Sequence, residues 1–272
     1  MTMSRLKKSL LAIVTVVVVN HPVFAQESAE DLAKQLSNPV AALISVPFQF
    51  NYDEDLGAGD TGERVLLNIQ PVVPITLNDE WNIISRTILP VIWQDDVSGD
   101  GNSVEGLGDT VQSLFLSPKA PTKSGWIWGV GPVFLLPTGT DEELGTEQWG
   151  AGPTGVALKQ NGPWTYGVLA NHIWTETGRD GQDPLSSTFL QPFWSYTTKD
   201  AVTFTLNTES TYDWRADSDE WAVPINGMVG KVFKLGSQMI MSRVGLRYWA
   251  AHTDAGAEGL GARIEFTLLF PK

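Results

Sequence analysis

No cysteine occurs anywhere in the chain, so disulfide frameworks, thiolate nucleophiles and cysteine-based metal centres are excluded. Histidine is nearly as scarce. His21, His172 and His252 are the whole supply, too few for a multi-histidine metal site. Positive charge is short as well, with 18 Lys and Arg against 31 Asp and Glu. A chain of net charge −13 without a basic patch repels nucleic acid. Long apolar runs are also missing. Leu10 to Val19, interrupted by Thr15, falls short of the about 20 residues that a spanning helix takes. Residence in a membrane must therefore be by β-barrel.

That run reads instead as the centre of an export signal. Arg5, Lys7 and Lys8 precede it, and Val23-Phe24-Ala25 follows as a small-x-small cleavage box, so residues 1–25 form a signal peptide. Its removal takes away three positive charges and no negative ones, moving the net charge from −13 to −16. Residues 26–42 read as a short periplasmic helix or leader. Leu32, Ala33, Leu36 and Val40 recur at helical spacing, and Pro39 would stop a helix running from Ser28 to Ser37. A disordered leader is the alternative.

The remainder, residues 43–272, reads as strand and turn. Twelve segments are expected, at 43–52, 64–76, 81–94, 109–118, 125–136, 149–159, 164–174, 186–197, 201–214, 222–233, 238–252 and 260–270. Their connections alternate. Long acidic ones (53–63, 95–108, 137–148, 175–185, 215–221, 253–259) take turns with short ones (77–80, 119–124, 160–163, 198–200, 234–237). This is the rhythm of an outer-membrane barrel, with long loops outside and tight turns in the periplasm. The fold class is therefore all-β, a transmembrane antiparallel up-and-down barrel of about twelve strands with a short N-terminal helix.

Side-chain alternation supports it. Val202, Phe204, Leu206, Tyr212 and Trp214 oppose Thr203, Thr205, Asn207, Glu209 and Asp213, one face suiting lipid and the other water. Segments 109–118 and 149–159 alternate poorly, so their facing stays open. Pro47, Pro71, Pro90, Pro132 and Pro192 fall inside strands and point to bulges or breaks in the ladder. The tryptophans sit near strand ends. Trp81, Trp126, Trp128, Trp164 and Trp194 fall on the periplasmic side, and Trp93, Trp149, Trp174, Trp214, Trp221 and Trp249 on the outer side, as two aromatic girdles would require.

Several stretches resemble a known family. They are LSNPVAALISVPFQFNYD (36–53), GLGD (106–109), LSPK (116–119), GPVFLLPTGT (131–140), WGAGPTGVALKQ (149–160), GPWTYGVLANHIW (162–174), TFLQPFWSY (188–196) and GKVFKLG (230–236). Together they are similar to the bacterial outer-membrane transporters of the MetA pathway of phenol degradation, some of which are labelled neuromedin U. The resemblance covers nearly all of the chain after the signal. It implies an outer-membrane barrel that takes up hydrophobic or aromatic compounds, and it brings no catalytic or binding residues. One departure is from barrels in general: Phe270 is followed by Pro271 and Lys272, where a terminal aromatic is usual.

Alternation places Arg86, Glu209, Asp213, Arg243, Arg247, Arg263 and Glu265 in the lumen, either as a field that selects solutes or as paired charges that hold the wall together. The acidic runs 53-DED-55, Asp95-Asp96, Asp100 and 141-DEE-143 read as solvated loops; Ser98-Gly99-Asp100-Gly101-Asn102 lacks the full spacing of a calcium loop. No metal or cofactor is expected. His172 points outward among Trp164, Tyr166 and Trp174; the residue two beyond it is Trp174, so a nearby serine nucleophile is missing. Gly129-x-Gly131 and Gly150-x-Gly152 precede no helix and make no phosphate loop.

The expected function is a passive outer-membrane channel or facilitator for small, hydrophobic or aromatic solutes, without enzymatic activity. A structural or surface-interaction barrel with a closed lumen is one alternative, an outer-membrane hydrolase around His172 another, and a soluble secreted β protein a third. The implied partners are outer-membrane lipids and lipopolysaccharide, the assembly machinery of a Gram-negative outer membrane reached by Sec-type export, and a small-molecule solute.

Overall fold

The computed structural model describes residues 28–57, 59–99, 101–175 and 184–271. The signal peptide, Asp100 and most of the 175–185 connection lie outside the described residues. Helix α1 (Ala29–Leu36) comes first. Then follow β1 (Ile44–Leu56), β2 (Gly62–Ile69), β3 (Val72–Thr76), β4 (Trp81–Asp95), β5 (Ser103–Leu107), β6 (Thr110–Pro118), β7 (Trp126–Leu136), β8 (Gly150–Asn161), β9 (Trp164–Trp174), β10 (Ser186–Thr197), β11 (Val202–Thr208), β12 (Ser210–Asp213), β13 (Trp221–Leu235), β14 (Gln238–Ala251) and β15 (Leu260–Phe270).

Each wall strand pairs antiparallel with its neighbours in sequence, and β15 pairs back to β1, Ile44 opposite Phe270 and Tyr52 opposite Ala262, which closes the sheet on itself. Three wall strands are broken. β3 continues β2, β5 lies beside β4 just ahead of β6, and β12 continues β11, leaving a closed antiparallel barrel of twelve strands. Proline accounts for two breaks, because it has no N–H to give the ladder. Pro71 separates β2 from β3. On β10, Pro192 falls between the pairs Phe193–Asn207 and Leu190–Ser210, beside the break at Glu209. Across the other side of that break, the Glu209 N–H reaches the Pro224 carbonyl at 3.4 Å.

The strands run further toward the long-loop end than the sequence suggests. β1 extends to Leu56 and β2 starts at Gly62, so Asp53, expected in an acidic loop, lies on the wall and is almost fully buried. The outward face is apolar along its length: Phe204 is 52% exposed, Val244 51% and Leu246 63%. A continuous belt of exposed aliphatic and aromatic side chains is what lipid contact requires and what water would penalise.

Helix α1 forms for local reasons. Ser28 caps it by accepting from the Asp31 N–H, Glu30 and Asp31 occupy the first turn, and Lys34 in the last turn pairs with Glu30 at 2.7 Å. Its apolar side, Leu32 and Ala33, is fully buried. It packs with Ala41, Leu43, Ala201, Val232, Met239, Met241 and Leu269, inside the barrel at the short-turn end. Gln160, near the end of β8, donates through Nε2 to the Lys34 carbonyl at 2.8 Å. The helix and residues 37–43 thus sit as a plug in the mouth expected to face the periplasm.

Candidate functional site

Above the plug, one side of the lumen carries a belt of ion pairs. The register builds it. On β1, odd-numbered residues point inward, and Gln49, Asn51 and Asp53 face Glu265, Arg263 and the end of β15 in turn. β14 brings Arg243 opposite Glu265 and Gly245 opposite Arg263, with Arg247 two inward positions nearer the loops than Arg243.

The belt has three levels. Nearest the loops, Arg247 Nη1 donates to Asp53 Oδ2 at 3.2 Å, Trp249 Nε1 donates to Asp53 Oδ1 at 3.0 Å, and Arg64 stands 4.0 Å from the same carboxylate. In the middle, Arg263 donates to both Glu209 oxygens at 2.8 and 2.7 Å and through Nε to Asn51 at 2.7 Å. Nearest the plug, Arg243 Nη1 donates to Glu265 Oε1 at 3.1 Å, and the Thr267 hydroxyl donates to the same oxygen at 3.0 Å. Gln49 and Gln70 continue this level around the wall to Arg86, whose Nη2 donates to Gln70 Oε1 at 3.1 Å. Space for the guanidinium stems comes from missing side chains. A Cβ on Gly230 would meet Arg243 Cγ at 2.4 Å, and one on Gly261 would meet Asp53 Oδ1 at 2.7 Å.

The opposite side of the lumen is apolar. Ile84, Phe115, Val156, Leu158 and Leu169 pack there with Val40 of the plug segment, and Val133, Leu135 and Ile173 form a second cluster. Between plug and belt lies a chamber of about 160 Å³ whose lining mixes polar groups (Arg86, Arg243, Gln70 and Asn207, with Glu209 and Glu265) with apolar ones (Phe193, Met228 and Val72).

Of the lumen residues expected from the sequence, Arg86, Glu209, Arg243, Arg247, Arg263 and Glu265 come together here. Asp213 does not join them. It ends β12 at the loop side, where its carboxylate accepts from the Arg215 N–H at 2.9 Å. Asp53, Arg64, Asn51, Gln49 and Gln70 were not expected. The odd-residue parity of 45, 47, 49, 51 and 53 carries on past the assumed strand end and would have found three of them.

The tryptophans cluster at the two ends, on the outer wall. Trp81 and Trp128 meet edge to face at 5.9 Å, and Trp164 lies 5.4 Å from Trp194 and 4.6 Å from Tyr196, while Trp126 starts β7 at the same turn end. Trp93, Trp174 and Trp214 stand toward the loop end. Trp249 departs from the girdle. It shares the inward parity of Arg243 and Arg247 on β14, and its ring lies inside, 4.9 Å from the Arg247 guanidinium.

His172 has closer hydroxyls than its own strand suggested. Its Nδ1 lies 2.7 Å from Thr188 Oγ1 and its Nε2 3.4 Å from Ser186 Oγ. Thr188 also accepts from Trp214 Nε1 at 2.8 Å. The group that orients the ring is thus a hydroxyl already engaged, where a nucleophile–base pair would want a carboxylate. Among the described residues no cluster of His, Asp and Glu could hold a metal ion. In the loops, the Thr61 hydroxyl and the Gly101 N–H donate to Asp96 and hold its carboxyl below the usual range.

No family model and no curated protein matches the chain. Solved structures do. An outer-membrane channel from Pseudomonas putida F1 is 14% identical, with a TM-score of 0.65, covering 84% of this chain and 96% of that one. The NanC porin is 9% identical, TM-score 0.49, covering 84% and 100%. Outer-membrane phospholipase A from Escherichia coli is 11% identical, TM-score 0.47, covering 90% and 99%. The first likeness establishes the fold, that of an outer-membrane β-barrel.

Proposed function

We propose that the protein is a passive outer-membrane channel for small solutes, closed at rest by residues 29–43. The carrying observation is how the lumen is shut. The plug is a separate piece of chain held in the short-turn mouth by side-chain packing and by the Gln160–Lys34 contact, while a chamber is kept between it and the belt of ion pairs. A barrel filled only for strength has no use for a removable element.

Magnitudes favour a closed resting state. Moving fully buried leucines such as Leu32 and Leu43 into water costs about 1.5–3 kcal/mol each, and every 1.4 kcal/mol is roughly tenfold in population. Opening is therefore infrequent without a solute or partner that favours it. The likeness to the P. putida channel supports transport as the general role. The resemblance to the MetA-pathway transporters, together with the apolar half of the lumen, supports hydrophobic or aromatic solutes. The role needs no catalysis, cofactor or energy source. Outer-membrane lipid and lipopolysaccharide would surround the apolar belt after signal-directed export and assembly.

The test is solute flux into proteoliposomes, comparing the full chain with a variant lacking residues 29–42. The proposal expects slow flux of small solutes that rises several-fold on deletion. Flux indistinguishable from empty liposomes for both proteins sinks it in favour of a closed structural barrel. Hydrolysis of ester substrates that is lost in His172→Ala would instead favour the hydrolase.

A further inference from the structure

The charges of the belt do not cancel. Five arginines (64, 86, 243, 247 and 263) share three carboxylates, and each carboxylate is already engaged: Asp53 by Arg247 and Trp249, both Glu209 oxygens by Arg263, and Glu265 by Arg243 and Thr267. Arg86 is left with an amide oxygen, and no carboxylate of the described residues lies within 4.0 Å of it. Arg243 also keeps a buried Nε without a hydrogen-bond partner. Both arginines line the chamber. Glu209, which acts on Arg86 electrostatically, and Glu265 also line the chamber, but each is held by another arginine, so three arginines there face two carboxylates. An arginine without a carboxylate of its own in a partly enclosed site attracts one, because two parallel N–H groups match a carboxylate and little water competes.

The rest of the chamber is not built for a bare inorganic anion. Val72, beside Arg86 as its cross-strand partner, and Phe193 both pack against the apolar cluster of the lumen and line the chamber. The volume, about 160 Å³, is that of a single aromatic ring, since cavities near 150 Å³ hold benzene.

We propose that the chamber is a binding site for a single-ring aromatic carboxylate, with the carboxylate on Arg86 and the ring against Val72 and Phe193. This names the solute class of the channel and rests on that reading. The acidic loops at the mouth disfavour anions, so the preference for an anion with an apolar body comes from the arginine excess below them.

Benzoate, its neutral isostere benzamide, and acetate are titrated calorimetrically into the full chain in lipid nanodiscs. Benzoate is expected to bind at least about tenfold more tightly than either, the discrimination a charge-assisted bond provides. Arg86→Gln should remove the preference for benzoate over benzamide, and Arg86→Lys should keep part of it. Equal binding of benzoate and benzamide, or no binding of benzoate, overturns the proposal even if the variants fail to fold, since that comparison uses the unaltered chain. Flux of a neutral sugar through the variant lacking residues 29–42 separates the two readings. Sugar flux without benzoate preference overturns the chamber and spares the channel; benzoate binding without any flux supports the chamber and overturns the channel.

Discussion

From Glu209 through β13, β14 and β15 to β1 and Arg86, the interior wall is arginine, carboxylate and amide; from Ile84 through β6–β9 to Phe189 it is aromatic and aliphatic with small hydroxyls. Both halves lie inside one barrel, and both are tightly packed. The apolar half shows that this chain can fill its lumen with hydrocarbon, which is the better stabiliser of the two. Buried ion pairs are costly to desolvate and often no better than hydrophobic replacements. Under the proposed role, the charged half serves to select what passes.

The sharpest break of this contrast is at Arg263. Arg263→Ala leaves Glu209 without the guanidinium that both its oxygens use, and the expected loss is about 3–5 kcal/mol, read by urea unfolding in detergent micelles. Replacing Arg263 and Glu209 together by Met should cost far less, and a double replacement as damaging as the single would contradict the idea that the pair adds little net stability. In the apolar half, Leu158→Ala opens a cavity at a fully buried site and should cost about 2–4 kcal/mol by the same assay. The reversal potential in a KCl gradient should stay where it was, because no charge is touched; a shift would place Leu158 on the ion path.

Smaller effects are expected outside the lumen. Trp164 packs on Trp194 and Tyr196 at the turn end, and Trp164→Leu should cost about 1 kcal/mol with no change in solute preference. The smallest change concerns Asp96. Its carboxyl is held below the usual range by the Thr61 hydroxyl and the Gly101 N–H, so the order it gives the loop is complete above the ordinary Asp value of about 3.9 and fades as pH falls through the lowered one. Hydrogen exchange at Gly101 should speed up in Asp96→Ala near neutral pH, with the barrel amides unaffected.

Much of this architecture was legible in the sequence. Loop rhythm and alternation place the twelve wall strands, except that β5 (Ser103–Leu107) falls in the expected loop 95–108, and the capping Ser28 with Leu32, Ala33 and Leu36 marks the helix. The misses have physical causes. Segments 109–118 and 149–159 alternate poorly because the wall there is apolar or small-sided on both faces: Phe115, Val156 and Leu158 point inward while Leu116 and Ala157 face out. The period-2 signal needs one wet face, and the apolar half of the lumen has none. Asp53 was hidden because an acidic run reads as loop, although its partner Arg247 lies nearly two hundred residues away in sequence, at 194 positions. Trp249 reads as girdle from its place near a strand end, although it keeps the inward parity of Arg243 and Arg247. The plug's seat depends on contacts between the chain's two ends, which no local pattern encodes.

The absence of native cysteine allows a direct trial of the gate. Lys34→Cys on α1 and Gln160→Cys near the end of β8 place a thiol pair where helix and wall already touch. Single-channel current of the double variant is recorded before and after joining the pair with a short bis-maleimide. The gated-channel account predicts brief openings that disappear on cross-linking and are unaffected in either single variant. Openings that persist unchanged after cross-linking, or a barrel silent even with residues 29–42 removed, would contradict it.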